Sequence, residues 1–96
     1  MDNNLLNAYS SIVSSETKIK ILLALNERVL TPKKISELTK KRINHISMYL
    51  TQLKTTNLIV CLNENSKKGR LYKLTDLGNK VLDELKINGY SLNPLK

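Results

Sequence analysis

Residues 58–78 read LIVCLNENSKKGRLYKLTDLG. The apolar run over 58–62 predicts a strand, and the alternation of charged and apolar residues over 70–74 predicts its return strand. The polar, basic stretch between them contains Gly69 and predicts a turn. Thr75 is a capping residue for a helix that follows at once. This segment therefore predicts a β-hairpin that leads directly into a helix.

Four helices are predicted upstream of the hairpin. The first covers residues 4–13, the second follows a serine cap, and the third begins at a Thr-Pro pair. The fourth carries an apolar side chain at every third or fourth position, which predicts one buried face made of Ile43, Ile46, Leu50 and Leu53. We therefore expect a mainly α fold with a small β-hairpin, in the order α-α-α-α-β-turn-β-α. The 96-residue chain is interpreted as one domain with a core over about residues 15–85 and terminal helices over 4–13 and 75–88.

The positive charge is concentrated in the middle of the chain. The formal net charge is +8, and the stretch 31–73 accounts for all of it with ten basic and two acidic residues. The flanks together carry six residues of each sign. A basic centre between neutral flanks is typical of a surface that meets a phosphate backbone.

The chain resembles archaeal winged helix-turn-helix regulators of the ArsR/MarR-like group over roughly residues 15–85. The resemblance rests on KRINHIS at 41–47, LIVCL at 58–62, KGRLY at 68–72, and Gly78. It implies a winged helix-turn-helix fold and binding of double-stranded DNA, commonly as a homodimer. In that arrangement the fourth helix enters the major groove, and the hairpin contacts the minor groove or the backbone.

The face of the fourth helix opposite its apolar stripe is polar but almost uncharged. Asn and Gln side chains match adenine, and Arg matches guanine, at base edges in the major groove. An ordinary polar surface is the alternative interpretation. The candidate base-reading residues are Arg42, Asn44, His45 and Gln52, with Met48 and Thr51 on the same face and Ser47, Tyr49 and Lys54 as backbone contacts.

Two further groups of cations flank this helix. Lys67, Lys68 and Arg70 lie together at the tip of the predicted hairpin, where a phosphate backbone or a minor groove would offset their mutual repulsion. Lys33, Lys34 and Lys41 flank the third helix and are candidate phosphate contacts. Charge runs are also common on surfaces that simply face water, and this alternative stays open for both groups.

The terminal helices carry more apolar surface than a small core requires. This pattern favours a homodimer, whereas packing of the two helices on each other within one subunit is the alternative. The candidate interface residues are Leu5, Leu6, Tyr9, Val13, Leu77, Val81, Leu82 and Leu85.

Several function classes are disfavoured by the composition. One cysteine, Cys61, and one histidine are too few for a zinc site, and no catalytic constellation is present, so we expect no metal, no cofactor and no enzyme activity. No apolar run approaches the about 20 residues that a membrane span needs, so a cytoplasmic, nucleoid-associated protein is expected. The short chain leaves little length for a ligand pocket, and no small-molecule effector is expected.

These patterns predict a homodimeric transcriptional regulator that binds a specific DNA sequence, with repression by promoter occlusion as the expected mode. The first alternative is an architectural or plasmid-partition protein that spreads along DNA. A more remote alternative is a winged helix that binds another protein.

Overall fold

The computed structural model describes residues 2–92 of the chain. They form a mostly helical winged-helix fold with one two-stranded antiparallel hairpin, which confirms the predicted fold class and element order. The elements are α1 (Asn3–Val13), α2 (Glu16–Ala24), α3 (Pro32–Thr39), α4 (Ile43–Thr55), β1 (Ile59–Cys61), β2 (Tyr72–Leu74) and α5 (Asp76–Ile87).

Side-chain caps explain where four of the five helices begin. Asp2, Ser15, Thr31 and Thr75 each stand just before a helix, and each accepts a hydrogen bond from a backbone N–H three residues later. Pro32 follows Thr31 at the first helical position, where a missing N–H costs nothing. Because these bonds satisfy amides that the helix leaves free, the helix starts are fixed by local chemistry.

The hydrophobic core is built around α2. Ile21, Leu22 and Ala24 are fully buried, and α1, α3, α4 and α5 all pack on this helix. Ile12 from α1 and Val81 from α5 close the core on the side of the terminal helices. Apolar side chains of moderate size therefore fill the interior of a domain that has no Phe or Trp.

The hairpin pairs three residues on each strand, with Val60 opposite Lys73. Both strands are shorter than the predicted spans of 58–62 and 70–74. The inward-facing residues of each strand are buried and the central residue is exposed, so one sheet face packs on the helices. At the base of the hairpin, Gly78 of α5 lies so close to the Leu58 carbonyl that an added Cβ would stand 2.1 Å from its oxygen. This contact fixes α5 against the start of the hairpin.

The buried stripe of α4 differs from the prediction at one position. Ile46, Leu50 and Leu53 are at most 1% exposed, whereas Ile43 is 50% exposed. Ile43 is the first residue of α4, and its side chain lines an open surface groove instead of the core. The prediction of a buried Ile43 is therefore wrong, because helical spacing alone does not show where a helix extends past the core.

Candidate nucleic-acid interface

The turn between α3 and α4 sets the orientation of α4. Lys40 ends α3 in the left-handed conformation, with φ at 59°, and its amide donates to the Ser36 carbonyl. The Thr39 hydroxyl is buried and donates to the Ile35 carbonyl at 2.7 Å. Because α3 ends abruptly at Thr39, α4 begins at Ile43 after only three intervening residues. The pair forms a helix-turn-helix unit in which both helices pack on α2.

The outward side of α4 is the polar face that the sequence predicts. Its exposed side chains include one thioether, several amides and hydroxyls, and one imidazole. They are Asn44, His45, Ser47, Met48, Thr51, Gln52 and Thr55. Arg42 is also exposed and stands at the N-cap without a side-chain hydrogen bond to the helix. This end of α4 therefore presents a cation and hydrogen-bonding side chains together, at a helix start that its N-cap side chain does not close.

Local hydrogen bonds partly engage this face. The Asn44 Oδ1 atom accepts from the His45 amide at 3.0 Å, so contact with an adenine through both amide atoms requires the carboxamide to rotate. The Thr51 hydroxyl donates to the Ser47 carbonyl at 3.2 Å and keeps its lone pairs available. The face can thus both donate and accept at a base edge.

The wing tip, residues 63–70, is ordered by its own polar side chains. Asn63 Oδ1 accepts from the Leu71 amide at 2.7 Å, and Asn63 Nδ2 donates to the Gly69 carbonyl at 3.2 Å. Arg70 folds back into the tip, and its Nε donates to the Ser66 carbonyl at 2.8 Å. Gly69 adopts a φ of 65°, which glycine reaches without steric cost. The tip is therefore a compact turn with defined internal bonds.

An ion pair joins the wing tip to α4. Lys54 Nζ lies 2.9 Å from one carboxylate oxygen of Glu64 and 3.0 Å from the other. The hydrogen bond with Glu64 raises the pKa of Lys54 above its usual 10.5. Lys54, predicted to contact the DNA backbone, is thus already paired within the subunit.

An open groove of about 560 Å³ separates the wing tip from α4 and the start of α3; we call it the helix–wing groove. Apolar, hydroxyl-bearing and cationic side chains line it. Its lining includes Thr31, Pro32, Ile43, Ser47, Leu50, Thr51 and Tyr72, with the cations Lys33, Lys67, Lys68 and Arg70. The structure thus brings the predicted wing cations together with part of the polar face of α4.

Three other residues predicted to contact DNA do not line this groove. Lys34 pairs with Glu37 at 3.7 Å, and Lys41 with Glu16 at 3.8 Å. Tyr49 is half-buried and packs against the core. Four groove residues were not predicted from the sequence, because their patterns indicate a cap, a helix start, a core residue and a strand residue: Thr31, Pro32, Ile43 and Tyr72.

The terminal helices pack on each other, as the alternative interpretation of their apolar stripes holds. Val81, Leu82 and Leu85 are at most 2% exposed within the single subunit, so the proposal that they contact a second copy is corrected. The physical reason is that this side of α5 covers α1 and α2. Other candidates remain at the surface, with Leu6 48% exposed and Leu5, Tyr9, Val13 and Leu77 half-buried.

Two further features of the described residues bear on other functions. Over residues 2–92, no three His, Cys, Asp or Glu side chains converge as metal ligands would. No helix in this part of the chain has the length and apolar character to cross a membrane.

No protein-family model and no curated protein matches this chain. Solved structures do match. TubR, a type III plasmid segregation protein, bound to 24 bp of tubC from Bacillus thuringiensis serovar israelensis pBtoxis, is 16% identical with a TM-score of 0.77. This match covers 92% of the present chain and 98% of that TubR chain. At such identity the likeness shows the fold.

Two MarR-family winged-helix regulators match at higher identity. A mutant of MarR from E. coli, complexed with operator DNA, is 25% identical with a TM-score of 0.68, over 93% of this chain and 66% of that one. A mutant of ZitR from Lactococcus lactis is 27% identical with a TM-score of 0.67, over 76% of this chain and 51% of that one. The structural neighbours are thus DNA-binding regulators and TubR, and none of those named here is an enzyme.

Proposed function

We propose that this chain binds a specific double-stranded DNA sequence as a homodimeric transcriptional regulator and represses by occluding a promoter. Helix α4 occupies the major groove, with Arg42, Asn44, His45 and Gln52 toward base edges. The wing tip lies along the minor groove or the backbone. The observation that carries the proposal is the position of the exposed, nearly uncharged face of α4 beside a groove whose lining includes four cations.

The electrostatics favour a nucleic acid over a protein partner. Lys33, Lys67 and Lys68 are exposed, and none of them forms an ion pair within residues 2–92. Phosphates spaced along a duplex offset such cations, whereas the neutral amides and hydroxyls of α4 match base edges. The neighbours bound to tubC and to operator DNA show that this fold accommodates a duplex.

The proposed dimer uses the outer side of α1. Residues 3–15 contain no charged side chain, although the whole chain carries a net charge of +8. Two such chains repel each other, so an uncharged helix is the surface on which they meet at least electrostatic cost. Leu6 is exposed on this helix and supplies an apolar contact. A two-fold protein matches a two-fold operator.

Fluorescence anisotropy over a series of salt concentrations tests DNA binding. Because each neutralised phosphate releases counterions, the logarithm of the affinity should fall with the logarithm of the salt concentration by about 0.9 per contact. A cognate duplex selected from random sequences should bind at least about tenfold more tightly than a scrambled one. Binding that ignores salt, or no binding at all, contradicts the proposal.

Sedimentation equilibrium of Leu6→Glu tests the dimer. A carboxylate buried at the proposed interface should dissociate the two copies, while the circular dichroism spectrum stays native. Val60→Glu is the matched control, because Val60 is similarly exposed but lies on the hairpin. If both variants stay dimeric, or both dissociate, α1 is not the interface.

A second candidate function is DNA binding without transcriptional regulation. The groove cations Lys33, Lys67 and Lys68 offer phosphate contacts that carry no sequence information, which favours an architectural or plasmid-partition protein that spreads along DNA. Nuclease footprinting distinguishes the two functions. One short protected site supports a regulator, and a protected region that grows with protein concentration supports spreading.

A further inference from the structure

We infer that Arg70 is a positioning residue that braces the wing tip, and that the contacts with DNA at the wing are made by Lys67 and Lys68. This inference rests on the proposed DNA-binding function for its consequence, but its structural part concerns the free protein.

The guanidinium of Arg70 is directed at backbone carbonyls of its own turn. Its Nε donates to the Ser66 carbonyl at 2.8 Å, and its Nη2 donates to the Glu64 carbonyl at 3.3 Å. Ser66 lies four and Glu64 six residues earlier in the chain, so the side chain spans the turn from its C-terminal end to its beginning. A planar guanidinium can make both bonds at once because its donors diverge in a fixed fork, which an ammonium lacks.

Three further bonds complete the brace. Asn63 bonds the Leu71 amide and the Gly69 carbonyl, and the Ser66 hydroxyl donates to the Lys68 carbonyl. These bonds engage backbone groups on the C-terminal side of the turn, and the Arg70 bonds engage those on the N-terminal side. The two lysines at its apex therefore stand on a defined backbone, and ordering that backbone before binding lowers the entropy cost of binding.

Glu64 connects this brace to the proposed reading helix. Its carbonyl accepts from Arg70, and its carboxylate binds Lys54 of α4 through both oxygens. A carboxylate beside a DNA-facing surface would by itself repel phosphate. The position of Glu64 between α4 and the brace explains why a carboxylate is present here: Glu64 fixes the wing tip relative to the helix.

The lysines differ from Arg70 in their surroundings. Lys67 and Lys68 are exposed, and within residues 2–92 neither side chain forms an ion pair or a hydrogen bond. Both line the helix–wing groove and have ammonium groups free to meet phosphate. Arg70 is half-buried and already bonded.

Conservative and neutral substitutions separate the two roles. Arg70→Lys keeps the charge but loses the fork, so we expect cognate and scrambled duplexes to bind about three- to tenfold more weakly with an unchanged salt slope. Lys68→Arg, the matched control, should bind as wild type. Lys68→Gln should lower the salt slope by about 0.9. The inference would be overturned if Arg70→Lys bound DNA with wild-type affinity and Arg70→Gln showed a reduced salt slope.

Amide hydrogen exchange of the free protein tests the brace without DNA. In Arg70→Lys, the amides of Ser66 and Leu71 should exchange about tenfold faster, whereas the core amides of α4 should be unchanged. The same exchange rates in Arg70→Lys and wild type would show that no brace exists. If the exchange rates change as expected but no duplex binds, the DNA-binding function fails and the brace stands.

Discussion

Helix α4 and the wing tip present neighbouring surfaces, but different forces hold them in place. Helix α4 is fixed by buried aliphatic side chains, with Leu50 and Leu53 at most 1% exposed. The wing tip, residues 63–70, contains no buried residue and is held by hydrogen bonds from Asn63 and Arg70 to its backbone. One proposed DNA-binding surface therefore depends on packing, whereas the other depends on a few polar bonds that a single substitution can remove.

Two glycines, one in each kind of environment, give the largest expected contrast in stability. In Gly78→Ala the new Cβ would stand 2.1 Å from the Leu58 carbonyl oxygen, so packing must shift and unfolding in urea should show a loss of at least about 2 kcal/mol. A Cβ added at Gly69 would have no atom within 4 Å apart from its chain neighbours, so only the φ of 65° disfavours alanine. Gly69→Ala should therefore cost about 1 kcal/mol. Equal losses of unfolding free energy in the two variants would contradict the distinction between the packed helices and the wing tip.

Substitutions on α4 should separate sequence recognition from simple adhesion. Replacing Asn44 or Gln52 with alanine should cost about 1–3 kcal/mol on the cognate duplex and little on a scrambled one. The reason is that both side chains are exposed on the polar face and carry donor–acceptor pairs that match adenine. A paired titration on the two duplexes measures the effect, and Thr55→Ala, at the far end of the same face, is the control. Equal losses on both duplexes would remove α4 as the reading element.

The wing should behave in the opposite way. Lys67→Gln should weaken binding to cognate and scrambled duplexes by the same factor and reduce the salt slope by about 0.9, because its ammonium contacts phosphate alone. The control is Lys80→Gln, since Lys80 is exposed on α5 and does not line the helix–wing groove. A Lys67 variant that lost only cognate binding would make the wing a sequence reader.

The smallest expected effect concerns the ion pairs behind α4. The hydrogen bond from Lys20, at 3.2 Å, and the charges of Lys20 and Lys41 lower the pKa of Glu16 below its usual 4.5. A lowered carboxyl pKa adds stability that is present above pH 4.5 and is lost as pH falls through the folded-state value. The melting temperature of Glu16→Gln should be slightly below wild type at neutral pH, and the gap should close in strong acid. Because Glu16 is exposed, a large gap at neutral pH would show that α4 depends on this pair and not on packing.

Local chemistry allowed much of the fold to be predicted from sequence. The caps at Ser15, Thr31 and Thr75 and the apolar spacing of α4 depend on residues within one or two turns of each other, so the pattern shows them directly. The hairpin is predicted for the same reason, since its strands are adjacent in the chain and its turn contains Gly69. The polar face of α4 then follows, because it is the side opposite the apolar stripe.

Tertiary structure decided what depends on distant residues. The exposure of Ile43 depends on where α4 extends past the core, and the burial of Val81 and Leu85 depends on α5 lying over α1 and α2. Neither is encoded in the spacing of one helix.

The roles of the basic residues were likewise decided by folding. The sequence by itself determined that the charge is concentrated over 31–73, whereas the fold determined that Lys54 meets Glu64 and that Arg70 turns back onto its own loop. The number of charges can be read from the sequence. The partner of each charge cannot be read from it, because a hydrogen bond depends on atoms that only the folded backbone brings within about 3 Å.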